Sequence, residues 1–340
     1  MNRTPGSNTP LTRRDLIGWV AAALPLAAAI TGRASARNRA SAAAAGGSFP
    51  IAPTAAELKT YQQQWIDPIR EGLTTTTFAL YPTPSRGEGT EGSYRIYLPP
   101  DYAGDAQARY PVIYWLHGGF GSSREGAPAV EKVNRFIRAG LMPPAIVVLP
   151  QALPSGWYCD SKDGARPVEQ VIVYDLVSHI DKTYRTRAEA RYRWLEGMSM
   201  GGFGTLHLGL KHPEVFGRLS AVAPAILRDM RLEPPIRTQD TFFGDQAYFK
   251  AVGPWTLALA NAPRIRRTTK LRVLSGGADS RLVAALRDFS AMLTSLDLPH
   301  EFVEVPGVGH DYLAITAGIG DRYPAFWNAL QKEDGYSRAP

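Results

Sequence analysis

The sequence predicts an α/β fold, a mainly parallel sheet with helices on both faces, and three observations carry that reading. Residues 112–116 and 145–149 are continuous apolar runs, as in strands buried on both sides, where a half-exposed strand would alternate apolar with polar. Strand-like runs then take turns with helical spacing along most of the chain, the order expected of crossovers between parallel strands. Finally, a short strand at 192–195 runs through Gly197-Met198-Ser199-Met200-Gly201 into a helical pattern with Phe203, Leu206, Leu208 and Leu210, which His212-Pro213 stops. A chain of 340 residues with 44% hydrophobic content can bury the large core such a sheet needs.

Residues 1–36 read as an export signal. Thr12-Arg13-Arg14-Asp15-Leu16-Ile17 opens an apolar stretch reaching Ile30, about 15 residues and short of the ~20 needed to span a bilayer. Ala34-Ser35-Ala36 offers a signal-peptidase type of site, and the paired arginines point to the twin-arginine pathway, with a Sec signal or an uncleaved anchor as alternatives. A secreted or cell-envelope location is therefore expected. Residues 37–53, rich in Ala, Gly, Ser and Arg, read as a flexible linker, and one domain is expected over 54–335.

Within that domain, Leu58, Tyr61, Trp65 and Ile69 have the spacing of a helix over 55–70, with Thr54 as N-cap. Strands at 75–80 and 93–98, separated by the Pro, Gly and Ser of 82–92, predict an edge hairpin that Pro99-Pro100 closes, because proline cannot continue a ladder. The strand at 112–116 ends in His117-Gly118-Gly119-Phe120-Gly121, and a helix follows through Val130, Val133, Phe136 and Ile137. Residues 170–184 carry Val171, Ile172, Leu176, Ile180 and Tyr184 along one helical stripe. Beyond the serine turn, strands are expected at 219–223, 271–274 and 301–305, and helices at 282–296 and 323–330. Residues 226–268, rich in Arg and Pro with Phe242, Phe243, Tyr248 and Trp255, fit this rhythm poorly. They read as an insertion over the C-terminal ends of the strands, where ligands bind in such sheets.

The formal charge is +7, of which Arg3, Arg13, Arg14 and Arg33 against Asp15 place +3 in the first 36 residues. The remaining +4 is scattered, with no basic run interleaved with aromatics, so nucleic acid is not an expected partner and membrane contact is expected only during export. Cys159 is the only cysteine, which rules out an intramolecular disulfide and a cysteine-based metal site. His117, His179, His207, His212, His300 and His310 show no metal-ligand spacing, so neither metal nor cofactor is expected.

The chemistry lies in the serine turn. A serine between strand and helix sits on strained backbone, and Gly197 and Gly201 let the two elements approach without a Cβ clash. A serine hydroxyl is a weak nucleophile, so Ser199 needs a base and the base needs an orienting acid, in the order serine, acid, histidine along this architecture. His310 follows the strand at 301–305 and Asp279 follows the strand at 271–274; Asp229, Asp245, Asp297 and Asp311 are rivals for the acid. Charge developing on a carbonyl oxygen needs preorganised donors, worth roughly 3 kcal/mol each. The backbone N–H of Met200 is one, and Gly119 is expected to supply the second, with Phe120 as rival. His117 is expected to be structural. Trp157 and Tyr158 are candidates for lining the substrate pocket.

Seven ordered motifs carry a resemblance. Tyr97-Leu98-Pro99-Pro100-Asp101-Tyr102, Leu116-His117-Gly118-Gly119, Trp157-Tyr158-Cys159-Asp160, Gly197-Met198-Ser199-Met200-Gly201-Gly202, His212-Pro213-Glu214-Val215-Phe216, Phe243-Gly244-Asp245 and Gly309-His310-Asp311-Tyr312 resemble the esterase D family of α/β-hydrolases. That family includes feruloyl esterases, S-formylglutathione hydrolases, enterochelin-type esterases and secreted mycolyltransferases. The resemblance implies the α/β-hydrolase fold, a Ser199, Asp279 and His310 triad, and an oxyanion hole of Gly119 and Met200. It implies an exported serine carboxylic-ester hydrolase working through an acyl-enzyme on a small-molecule or saccharide ester, such as an acylated or feruloylated sugar. An acyltransferase of the mycolyltransferase type and a catalytically silent binding protein on the same fold are the alternatives. Where many members carry an aromatic after the Tyr-x-Asp loop, this chain has Ser161. Where mycolyltransferases have Asp-Gly and a glutamate acid, it has His117-Gly118 and Asp279, which tilts the reading towards hydrolysis.

Overall fold

A computed structural model describes residues 63–333. The expected export signal, the linker and residues 54–62 of the first predicted helix lie outside the described residues.

Eight strands form one sheet: β1 (Thr77–Pro82), β2 (Glu91–Tyr97), β3 (Val112–Leu116), β4 (Ile146–Pro150), β5 (Arg193–Met198), β6 (Arg218–Val222), β7 (Lys270–Gly276) and β8 (His300–Val305). Their spatial order is β1-β2-β4-β3-β5-β6-β7-β8, with β1 and β2 antiparallel to their neighbours and the remaining pairs parallel. The hairpin is therefore at the edge, as its Thr-rich and Tyr-rich strands predict. Every residue of β3 and β4 is buried, which is why those runs do not alternate.

The crossovers are helical. In chain order the helices are α1 (Ala127–Arg138), α2 (residues 168–183), α3 (Met200–Lys211), α4 (Pro235–Phe242), α5 (Gln246–Val252), α6 (Pro254–Thr268), α7 (Val283–Ser295), α8 (Tyr312–Gly318) and α9 (Arg322–Glu333), the last two following β8. The middle of α2, Val171–Leu176, is π-helical, and the predicted stripe of Val171, Ile172, Leu176 and Ile180 is fully buried.

Two expectations are corrected. Residues 63–70 are not helical: Pro68 interrupts the run and the Asp67 carboxylate closes a turn on the Ile69 amide. The segment instead lies along β2, where the Ser93 amide donates to the Trp65 carbonyl at 3.0 Å and the Asp67 amide donates to Ser93 Oγ at 2.8 Å. Nor is 226–268 wholly an insertion. Its last part is α6, which packs along α3 as the crossover between β6 and β7, and Pro263 within it disguises the helical pattern.

Three neighbouring strands carry a polar ladder through this apolar core. Glu196 on β5, Ser220 on β6 and Arg272 on β7 stand in register, all essentially inaccessible to solvent. Ser220 Oγ donates to Glu196 Oε2 at 2.9 Å, and Arg272 donates to Ser220 Oγ and lies 3.5 Å from the same carboxylate oxygen. The hydroxyls of Tyr312 and Tyr323 donate to Glu196 Oε1 at 2.6 and 2.7 Å, tying α8 and α9 to the strand that leads into Ser199.

Candidate active site

Ser199 sits between β5 and α3 with φ 57° and ψ −115°, a conformation that few non-glycine residues adopt. The turn closes because its neighbours lack side chains. A Cβ on Gly201 would collide with the Leu116 carbonyl, and one on Gly202 would lie 2.8 Å from Pro224 Cα. The serine backbone is also fully engaged, donating to Val222 and accepting from Phe203 and Ala225 at about 3 Å. Among the described residues its hydroxyl makes no hydrogen bond. Strain of the same kind marks the loops beyond four adjacent strands: Phe120 after β3, Trp157 and Tyr158 after β4, Ser199 after β5 and Ala223 after β6 all have positive φ. Outliers gathered at the C-terminal edge of a parallel sheet are the expected mark of a site.

The structure brings Asp279 and His310 together. His310 Nδ1 lies 2.7 Å from Asp279 Oδ2, and the loops bearing them are joined where the Ala278 amide donates to the Val308 carbonyl at 2.8 Å. Burial raises the affinity of the Asp279 carboxyl for its proton. The hydrogen bond and charge of His310 outweigh that effect, aided by Arg281, and hold the carboxyl below its ordinary range. An ionised carboxylate can only accept, so Nδ1 donates to Asp279 and Nε2 is turned away from it. No hydrogen bond joins His310 to Ser199 among the described residues, and such contacts are often long before substrate binds. Three of the four rival acids are occupied elsewhere: Asp245 caps α5, Asp311 caps α8, and the half-buried Asp229 is paired with Arg231, while the fourth, Asp297, is exposed just before β8.

The backbone also sorts the oxyanion donors. Phe120 is excluded, since its amide donates to the Pro154 carbonyl at 2.7 Å. The Gly118 amide donates to Glu125 Oε2 at 2.9 Å. The Gly119 amide makes no hydrogen bond among the described residues, and neither does that of Met200, the first residue of α3. Gly119, Ser199 and Met200 share the wall of one small open cleft with Trp157, Ala225 and Arg237.

The two aromatic candidates part company here. Trp157 lines the cleft, its ring edge-on to Phe203 at 5.1 Å and its Nε1 donating to the Arg237 carbonyl at 2.6 Å. Tyr158 does not line it. Its ring fills the space over Gly204, its hydroxyl donates to the His117 carbonyl at 3.1 Å, and it is fully buried. Ser161 is buried elsewhere, beside Cys159 and Thr241. His117 is structural as expected, with its ring nitrogens against the carbonyls of Gly118 and Ala152.

Among the acids that escaped the sequence reading, three brace elements of the site. Glu125 braces the loop after β3, and burial raises its pKa against the opposing pull of His117 and the Gly118 amide. Glu169 on α2 accepts from His207, Lys211 and His212 of the α3 region, fastening α2 to the serine helix. Glu196 anchors Tyr312, two residues beyond His310. The available signal was an acid inside an apolar run, most visible in Trp194-Leu195-Glu196. Among the described residues no group of three or more His, Cys, Asp and Glu side chains is placed to hold a metal ion.

A family model described as "Putative esterase" matches residues 85–306. The chain belongs to this esterase family. It is 30% identical over 246 residues to the esterase Rv1288 of Mycobacterium tuberculosis, covering 65% of this chain and 53% of that protein. It is also 30% identical over 169 residues to an endo-1,4-beta-xylanase/feruloyl esterase of Xylanibacter ruminicola, covering 47% of this chain and 23% of that protein. The chain thus spans about half or less of the length of these curated relatives. Among solved structures, a ferulic acid esterase superposes with a TM-score of 0.62 at 18% identity, covering 75% of this chain and 99% of that one. The S-formylglutathione hydrolase FrmB of Staphylococcus aureus gives 0.61 at 17% identity, covering 74% and 98%. At such identities the likeness is one of fold, and the fold of this esterase is that of the α/β-hydrolases.

Proposed function

We propose that this esterase is a serine carboxylic-ester hydrolase in which Ser199 is the nucleophile, His310 the general base and Asp279 its orienting acid. The observation that carries the reading is the 2.7 Å bond between His310 Nδ1 and Asp279, which orients the imidazole at the same end of the sheet as Ser199. In this mechanism Nε2 takes the Ser199 proton as Oγ attacks the ester carbonyl, and the amides of Gly119 and Met200 receive the developing oxyanion. Collapse expels the alcohol, which leaves with the proton from His310. Water then attacks the acyl-enzyme by the same path, with His310 as base, and releases the acid.

The names of the relatives support an ester-bearing saccharide, such as a feruloylated sugar, as substrate. Water rather than a sugar hydroxyl is the acceptor, supported by the differences from the mycolyltransferase pattern at His117 and Asp279. A fluorophosphonate probe should label the full chain and fail to label Ser199→Ala, whose turnover of aryl esters should fall by at least ~10³-fold with its melting temperature unchanged. Labelling of the variant would reassign the nucleophile. Export through the twin-arginine pathway is part of the same proposal: Arg13→Lys with Arg14→Lys should abolish secretion, and undiminished export would point to Sec.

A further inference from the structure

One wall of the cleft is a cation that the esterase reaction does not call for. Arg237 lies in the first turn of α4 and lines the same cleft as Ser199, Gly119 and Met200. Its backbone is held firmly, the amide donating to the Pro234 carbonyl and the carbonyl accepting from Trp157 Nε1. Its guanidinium is held only loosely. It lies 5.4 Å over the Phe120 ring and 3.8 Å from Glu233 Oε2, and it makes no hydrogen bond among the described residues. Glu233 does not neutralise it alone, because that buried carboxylate is also the ion-pair partner of Arg281 through Oε1. Arg281 faces Asp279 as well as Glu233, so Arg281 has two carboxylates and takes the closer oxygen of Glu233, while Arg237 has none within hydrogen-bond distance. Five N–H donors in a planar fork, partly desolvated, match a second carboxylate better than any neutral group.

We infer that Arg237 makes this cleft selective for esters carrying a free carboxylate, on either the acyl or the alcohol part. The inference rests on the serine-hydrolase reading and deepens it by naming a substrate class. A carboxylate seated on the guanidinium would hold the scissile carbonyl against the amides of Gly119 and Met200, whereas a neutral ester gains only apolar contact with Trp157 and Ala225.

The experiment compares matched esters on the full chain. For the acyl part, the 4-nitrophenyl monoester of glutaric acid is set against 4-nitrophenyl valerate; for the alcohol part, 4-acetoxybenzoate is set against 4-methylphenyl acetate. At low salt, at least one carboxylate ester should exceed its neutral partner by about tenfold in kcat/KM, as expected of a charge-assisted bidentate contact. Arg237→Gln should bring that ratio close to one, Arg237→Lys should restore part of it, and added salt should lower it in the unmodified protein. Equal rates for both members of both pairs would overturn the inference, as would a ratio that Arg237→Gln leaves intact. An arginine that served only the oxyanion would lower both members alike and keep the ratio. Hydrolysis of the neutral esters that disappears in Ser199→Ala tests the serine mechanism separately, so failure of one reading is not mistaken for failure of the other.

Discussion

Around Ser199 the main chain has no spare room on any side, whereas the loop before His310 packs its carbonyls against Gly276 on one side and faces open space on the other. A Cβ added at Gly197, Gly201 or Gly202 would run into backbone atoms of Gly201, Leu116 or Pro224, but one at Gly307 or Gly309 would meet nothing within 4 Å. The His310 side chain is 33% exposed, while Met200 beside the serine is 3% exposed. The two proposed catalytic residues are thus located by different physics. Ser199 is fixed mainly by backbone packed against backbone, which cannot relax, and the His310 side chain mainly by a few directed hydrogen bonds, which can. Those bonds are the Asp279 carboxylate on Nδ1, the Ala278 amide on Val308, and Tyr312 on Glu196.

If the base depends on directed bonds, removing one should cost activity far more than stability. His310→Gln should lower kcat for aryl esters by roughly 10⁴-fold, and Asp279→Asn by about 10²- to 10⁴-fold, with substrate binding little changed. A silent Asp279→Asn would mean that another carboxylate holds the histidine. The Asp279 carboxyl has a depressed folded pKa, so its stabilising contribution is present above the unfolded carboxylate value of ~3.9 and is lost as pH falls through the folded value. The denaturation midpoints of Asp279→Asn and the unmodified protein should therefore converge on acidification below about pH 4. Midpoints that stay parallel would detach Asp279 from the pair.

The serine turn should show the reverse order of effects. Gly201→Ala places a methyl group against the Leu116 carbonyl, where neither side can move, and should destabilise the protein by ~1–3 kcal/mol or prevent folding. Gly309→Ala, facing open space at ordinary φ, should change stability by less than ~0.5 kcal/mol. Denaturant titration of both reads the contrast directly, and equal losses would erase it.

What the sequence made legible follows from the same contrast. The serine turn can be read because steric exclusion dictates residue type at fixed spacing, and Gly197, Gly201 and Gly202 leave little choice. The order of Ser199, Asp279 and His310 was legible because each follows a strand with a strong apolar signature. Features set by tertiary contact were not. Trp65 suggested a helix because it is apolar at helical spacing, yet it is buried against the edge hairpin. Trp157 and Tyr158 are adjacent in sequence and face different surroundings, since successive positive φ values swing the chain in a way no periodicity records. Residues 312–318 form α8, only seven residues long, too short for a repeating stripe. Arg237 belongs to a stretch rich in arginine, and only its place beside Gly119 distinguishes it from the others.

The amide of Phe120 is committed to the carbonyl of Pro154, and this joins two loops that are separate in sequence. Gly119 presents its own amide only while the segment after β4 stays seated, so ester turnover reports the order of a region that carries none of the reacting groups. Residues 151–159 are all buried, so that segment is held by the same packing that holds the strands, and on heating activity should be lost together with the sheet rather than ahead of it.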